Sequence, residues 1–279
     1  METFWLPLSF PFMRDAALLG LMIALPAGML SCFLVLRGWS LMGDAVSHAI
    51  LPGVVLAYVA GIPLLVGAFA AGLFAAISAG WLQEMSRVKR DTVLGVVMSG
   101  MFGLGVVLYT AIPSDLHLDH ILFGNMLGIG PDNLRLGAAI SAGVGGLMLL
   151  KWRDLALIAF DPVQARVSGL RVRALDLALL AMISATVVAM LSAVGIILSV
   201  ALLIAPGAVG FLLVRRLSAM LAVSVGTAAL AILLGLWGSF WLDSAPAPTI
   251  VLVLTAMFLL AFLWRNFATW RATWRNAAG

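Results

Sequence analysis

An aspartate and a histidine stand four residues apart in Gly43-Asp44-Ala45-Val46-Ser47-His48-Ala49-Ile50-Leu51-Pro52-Gly53, within a long apolar stretch. On a helix, positions i and i+4 share one face, a turn apart. Asp44 and His48 therefore present an oxygen and a nitrogen toward one point. A carboxylate inside a bilayer costs about 2.5–3.5 kcal/mol on insertion scales, so its presence there points to function. Pro52 adds a potential third donor and breaks the helix: proline has no N–H, so the carbonyl of His48, four residues back, loses its helical partner. In lipid that carbonyl must be satisfied by protein, water or an ion. Gly43 and Gly53 leave room for another helix or an ion to come close.

Three readings of this pair compete: polar groups satisfying each other or a neighbouring helix, a proton relay, and a cation-translocation site. A relay calls for further acids along the membrane, and the other apolar spans carry essentially none. The cation site fits best. Oxygen and nitrogen donors without a thiolate disfavour Cu(I) and permit Mn²⁺, Fe²⁺ or Zn²⁺.

Composition sets the environment. The chain is 63% hydrophobic and 10% charged, with a mean hydropathy of +1.15. A soluble domain carries roughly 25% charged residues, so this chain cannot clothe a water-facing surface. It reads as a polytopic membrane protein, in keeping with its 28 glycines, which let membrane helices approach closely. The formal charge of +4 belongs to short loops and does not indicate nucleic acid binding. A single cysteine, Cys32, excludes an internal disulfide and any Cys-rich zinc or iron–sulfur site. It lies in an apolar run and reads as a small buried hydrophobe. Glu2 in place of a basic start, and the long apolar run after Arg14, argue against an ordinary signal peptide.

Runs of ~17–23 apolar residues predict nine spans, near 16–36, 39–60, 62–83, 92–112, 134–151, 175–191, 194–214, 219–241 and 247–264. Only Ser192-Ala193 separates the sixth from the seventh, and merging them would leave eight. Loop charge sets orientation, because Lys and Arg accumulate on the cytoplasmic side. Arg37, Arg87, Lys89, Arg90, Lys151, Arg153, Arg166, Arg171, Arg173, Arg215, Arg216, Arg265, Arg271 and Arg275 fall on one side, and only Arg14 and Arg135 on the other. This places the N-terminus outside and the C-terminus in the cytoplasm. An eight-span chain would carry Arg215 and Arg216 outside, so charge favours nine.

Two segments outside the spans stand out. In the cytoplasmic stretch 152–174, Asp161-Pro162 reads as a helix start, with an N-cap acceptor and proline at the first helical position. Gly169 reads as its stop. This helix of about two turns, flanked by arginines, rests on the lipid surface or docks a cytosolic partner; physics alone leaves both open. The external stretch 114–125 carries Asp115, His117, Asp119 and His120. It is either a solvated loop or a weak metal-collecting surface.

The only lysines, Lys89 and Lys151, do not follow glycine, so the chain has no Walker A motif. ATP-driven transport would need a second chain, and an ion-gradient carrier is the alternative. Here the sequence resembles the membrane permease of manganese, zinc and iron ABC importers. The likeness rests on Leu36-Arg37 with Ser40-Leu41-Met42 and the Gly43–Gly53 motif, and on Phe160-Asp161-Pro162 with Ala165 and Gly169-Leu170. Ala193–Leu198, Ala201–Pro206 and Ala245–Val251 add to it. It spans nearly the whole chain and is nearest to the manganese/iron chelate subgroup.

The resemblance implies an all-α bundle forming one transmembrane permease domain over 1–279, with a coupling helix near 161–172 and a cytoplasmic tail at 265–279. Residues Asp161, Pro162, Ala165 and Gly169 take the coupling positions, and Asp44 and His48 the metal positions. The implied partners are cytosolic ATP-binding subunits, a periplasmic or lipoprotein metal-binding protein, membrane lipid, and a second permease copy or paralogue. The metal would be cargo crossing the bacterial inner membrane, with no permanently bound cofactor and ATP hydrolysis in another chain. A siderophore or cobalamin permease of the same class would not need the acid–imidazole pair.

Overall fold

The computed structural model describes residues 6–112, 126, 128 and 130–277, and every regular element among them is helical. After a 3-10 turn at Leu6–Ser9 come α1 (Pro11–Leu36), α2 (Met42–Ala49), α3 (Leu51–Ala60), α4 (Leu64–Met85) and α5 (Arg90–Ala111). Then follow α6 (Pro131–Phe160), α7 (Pro162–Val167), α8 (Val172–Leu213), α9 (Leu217–Leu242) and α10 (Pro246–Ala277). Four of these helices open on proline, whose fixed φ and missing N–H cost nothing in a first turn.

Among the described residues, nine stretches are long and apolar enough to cross a membrane, α2 and α3 together supplying one and α8 two. Their positions match the nine predicted spans, and the differences lie at their ends. Helix α6 continues past Lys151 to Phe160, so residues 152–160 extend a span rather than forming a loop. The separate short helix expected after this span is confined to Pro162–Val167. Helix α10 runs unbroken through Ala277, so the described part of the 265–279 tail continues the last span.

The junction between the sixth and seventh spans is a reversal. Within α8 only Gly195 leaves helical geometry, with φ 77° and ψ 178°. That region is essentially restricted to glycine. Asp176, near the start of α8, pairs with Arg37 at the end of α1. Ile204 and Gly207, in the second limb, bond to Ser31 in the last turns of the same helix. The far ends of both limbs therefore lie at one end of α1, and α8 is a hairpin of two spans. The eight-span alternative fails on this geometry.

Helix α1 and the α2–α3 pair form the centre: 72% of each apolar stretch is buried, against 17% for α5. Lipid tails are as apolar as leucine, so membrane helices associate through close packing and polar contacts. Gly28 lies against the backbone of Val225 on α9, and Gly207 against the backbone of Ser31; a Cβ at either would collide. Gly53 on α3 and Gly67 on α4 face each other's carbonyls in the same way. Ser31 Oγ donates to the Ile204 carbonyl at 3.0 Å and accepts from Gly207 N at 2.8 Å. Ser224 Oγ donates to the Pro206 carbonyl at 2.9 Å and receives Cys32 Sγ at 3.0 Å. Cys32 is fully buried in this knot, as its apolar surroundings predict.

Gly195→Ala should destabilise the folded protein by about 1–3 kcal/mol, because the side chain strains the one residue that turns α8 back. A lowered thermal unfolding midpoint in detergent would show it, and an unchanged midpoint would contradict the hairpin geometry.

Candidate metal centre and cytoplasmic helix

Asp44 is the third residue of α2, and His48 lies in its last turn. The helix starts at Met42, three residues after the start of the predicted span, so Asp44 sits about 3 Å of rise from its beginning. A carboxylate in a first turn is favoured by the partial positive charge of that helix end. His48 Nε2 lies 3.4 Å from Asp44 Oδ1. The i, i+4 spacing thus brings the two groups together as expected.

Their exposure separates them from everything around them. From Met42 to Val55 every other residue is buried, while the Asp44 and His48 side chains are each 31% exposed. The opposite face is sealed: Val46 and Ala49 are fully buried, and Ala45 and Ile50 nearly so. Gly43 lies under Leu203 of α8, and Gly72 of α4 lies close to Val46, Ile50 and Ser184. Ser47, on the same short helix, returns its hydroxyl to the Gly43 carbonyl at 2.7 Å and is spoken for.

Pro52 breaks the hydrogen-bond ladder without turning the chain. Helix α2 ends at Ala49 and α3 begins at Leu51, yet Ile50 keeps helical angles of φ −68° and ψ −29°. The amide that would have served the His48 carbonyl is the N–H that proline lacks. Gly105 of α5 fits against Leu51 and the Pro52 ring so closely that a Cβ would sit 2.8–2.9 Å from them. One turn earlier, Phe102 meets the His48 ring edge-to-face, with centroids 5.4 Å apart and planes at 88°. Phe102 gave no signal in the sequence, since a phenylalanine in an apolar helix is unremarked until its neighbour is known.

Helix α7 is built as its motif predicts. Asp161 Oδ1 accepts from Val163 N at 3.0 Å and Gln164 N at 2.9 Å, capping α7, and Pro162 takes the first helical position. Gly169 stands at φ +80°, the left-handed geometry that ends a helix. Ala165 is fully buried and joins Ile158 of α6 and Val172 of α8 in a small apolar cluster. Phe160, Val163 and Val167 are more than half exposed.

Among the described residues no group of three or more His, Cys, Asp and Glu side chains converges. Asp115, His117, Asp119 and His120 lie outside the described residues. One acid on a span escaped the sequence reading. Asp176, in the first turns of α8, lies 2.6 Å from Arg37 Nη2.

A helical bundle with nine candidate spans among the described residues, and a polar pair exposed on one of its inner helices, defines a polytopic membrane protein. The ABC 3 transport family matches residues 9–265, and the chain belongs to that family. It is 47% identical over 260 residues to the chelated iron transport system membrane protein YfeD of Yersinia pestis, covering 93% of this chain and 88% of that one. It is 40% identical over 278 residues to the manganese transport system membrane protein MntB of Synechocystis, covering 99% and 91%. Among solved structures, PsaBC from Streptococcus pneumoniae in complex with Fab superposes with a TM-score of 0.83 at 34% identity, covering 94% of this chain and 95% of that one.

Asp161→Ala removes the cap of α7 and should loosen it by about 1 kcal/mol, whereas Asp161→Asn keeps an acceptor and should cost little. Tryptic cleavage at Arg166 should quicken about fivefold in the alanine variant alone. Equal cleavage in both would show that the cap does not hold this helix.

Proposed function

We propose that this chain is the permease subunit of an ATP-driven importer carrying a divalent transition metal, Mn²⁺ first and Fe²⁺ or Zn²⁺ next, across the bacterial inner membrane. The observation that carries the reading is the exposure of Asp44 and His48, and of nothing else, on an otherwise buried stretch of helix. A structural polar pair would be enclosed with its partners, because lipid penalises an exposed carboxylate. A transport pair must be reachable. Carboxylate oxygen and imidazole nitrogen suit Mn²⁺, Fe²⁺ and Zn²⁺, and relatives named for manganese and for chelated iron fit that donor set.

One chain offers two ionisable donors and the freed carbonyl of His48. A second permease copy or paralogue, set with its own pair facing this one, would double the donor set and shield both carboxylates from lipid. Cytosolic ATP-binding subunits supply the energy, and a periplasmic or lipoprotein metal-binding protein delivers the cargo outside. Loop charge orients the N-terminus outside and the C-terminus inside. Helix α7 then lies in the cytoplasm, and Phe160, Val163 and Val167 give an ATPase an apolar footing. Its buried Ala165 would pass a push inward to α6 and α8.

Asp44→Asn and His48→Ala should each reduce metal uptake to background while leaving membrane insertion intact; normal accumulation in both would remove the site assignment. Proteoliposomes given radiolabelled Mn²⁺, Fe²⁺ or Zn²⁺ should take up metal only with the ATPase and ATP present. Uptake by the permease alone would identify an ion-gradient carrier instead.

A further inference from the structure

Arg37 and Asp176 have no part in the site as described, yet they occupy a particular junction. Arg37 follows the last residue of α1 and opens the five-residue connector into α2, seven positions before Asp44. The connector is tightly wound: Trp39 N donates to the Leu34 carbonyl at 2.7 Å, and Met42 N to the Trp39 carbonyl at 2.8 Å. The Arg37 guanidinium lies over the Trp39 ring, 4.8 Å from its centroid. Asp176 belongs to the first turns of α8, just beyond α7. Val172 and Leu175 of that same turn pack in the apolar cluster that holds Ala165 of α7 and Ile158 of α6. The start of α8 is thus welded to the cytoplasmic helix on one side and to the α1–α2 connector on the other.

The ion pair makes the second of these joints. Arg37 Nη2 and Asp176 Oδ1 are 2.6 Å apart, and the Arg37 side chain is only 11% exposed. Arg135–Asp132, Lys151–Asp154 and His48–Asp44 each lie within one helix, whereas Arg37–Asp176 ties two helices together. The Asp176 side chain is 36% exposed, so the pair is half-enclosed; a short charge-assisted contact onto a mostly buried guanidinium is nonetheless stronger than a fully exposed surface pair. A cavity of about 320 Å³ lined by Trp39, Trp81, Glu84, Arg173 and Asp176 borders the pair, leaving space for the joined ends to move together.

We propose that Arg37 and Asp176 are a positioning pair that transmits movement of the cytoplasmic helix to the helix bearing Asp44 and His48. This rests on the importer reading above, which makes α7 the place where the ATPase pushes. The path is short and physical: α7 to the Ala165 cluster, the cluster to the start of α8, Asp176 to Arg37, and Arg37 through the wound connector to Asp44. Without the ion pair, α8 keeps only its joints farther along, at Ser31 and Leu203. Its first turns would then move without carrying the α1–α2 connector, so that ATP would be hydrolysed with little metal moved.

The test uses the full complex of permease, ATPase and metal-binding protein in proteoliposomes, with Mn²⁺ uptake and ATP hydrolysis measured together. Asp176→Asn, which keeps the shape of the side chain, and Arg37→Gln should each lower Mn²⁺ moved per ATP about fivefold or more. ATPase co-purification and ATP hydrolysis should stay within about twofold of wild type. The exchange of charges, R37D with D176R, should recover much of the lost ratio. A ratio unchanged in both single variants would overturn the proposal. So would a parallel loss of hydrolysis, uptake and thermal stability that the exchanged pair fails to restore, since that marks a merely structural contact. Should either single variant fail to insert, Arg37→Lys and Asp176→Glu, which keep the charges but move the contact atoms, read the same ratio. A wild-type complex without ATP-dependent uptake would overturn the importer reading and this one together, whereas coupled wild-type uptake with unaffected variants overturns this one alone.

Discussion

A charge in hydrocarbon must be paired, wetted or covered, and the central helix of this protein is arranged around that requirement. Burial of Met42, Val46, Ala49 and Ile50 fixes α2 against its neighbours, leaving only the Asp44–His48 face open. A lipid-facing carboxylate would cost about 2.5–3.5 kcal/mol. That is a sizeable fraction of the stability of any domain. The face is therefore sustained only where water, an ion or another chain meets it. Phe102 on one side and the Gly105–Pro52 contact beneath confine the approach to it.

Holding that face in place falls to small residues. Without a hydrophobic force between helices in lipid, backbone proximity and hydrogen bonds do the work. Gly28, Gly53, Gly67 and Gly207 bring backbones together where any side chain would collide. Ser31 and Ser224 feed hydroxyls into the carbonyls around Pro206, where proline leaves the α8 ladder incomplete. The result is a rigid centre of α1, α8 and α9, against which α2 and α3 are seated. Helix α5, at the rim, is attached mainly through its contacts with α2–α4.

The spans and the site pair were legible because their signals are local. Apolar runs have a length, lysine and arginine have a side, and Asp44 and His48 have a spacing that only a helix turns into contact. Asp161-Pro162 likewise announces its helix through two adjacent residues. What stayed hidden depends on residues far apart in the chain. Arg37 reads as one more loop charge, Asp176 draws no notice within its span, and nothing in the sequence pairs them. Phe102 and Gly105 are ordinary residues of an apolar helix until α5 is laid against His48 and Pro52. The junction at 192–195 admitted either a break or a reversal, because a single glycine in an unusual conformation decides it and sequence does not display φ. Lys151 and Arg153 end the apolar run but not the helix, which continues to Phe160.

The same distinction bears on how the two ends of the molecule communicate. A membrane span is stiff along its axis, so a push at its cytoplasmic end is felt along its length wherever it is joined to a neighbour. Helix α8 is joined at its start to α7 through Ala165 and Val172, to α1 through Asp176, and to α2 through Leu203 lying on Gly43. Two of those joints are apolar and can slide, because dispersion contacts are individually weak and re-form one methyl along. The ion pair cannot slide. Its strength depends on short, directed contact, so it either holds or breaks. The hydrogen bonds of Ser31 to Ile204 and Gly207 are a second directed joint to α1, so the hairpin that touches both α7 and the acid–imidazole helix is fixed where it is bonded and compliant where it is apolar. In the importer reading, a push on α7 would reach α2 by two routes, through Arg37 and the connector and through Leu203 lying on Gly43.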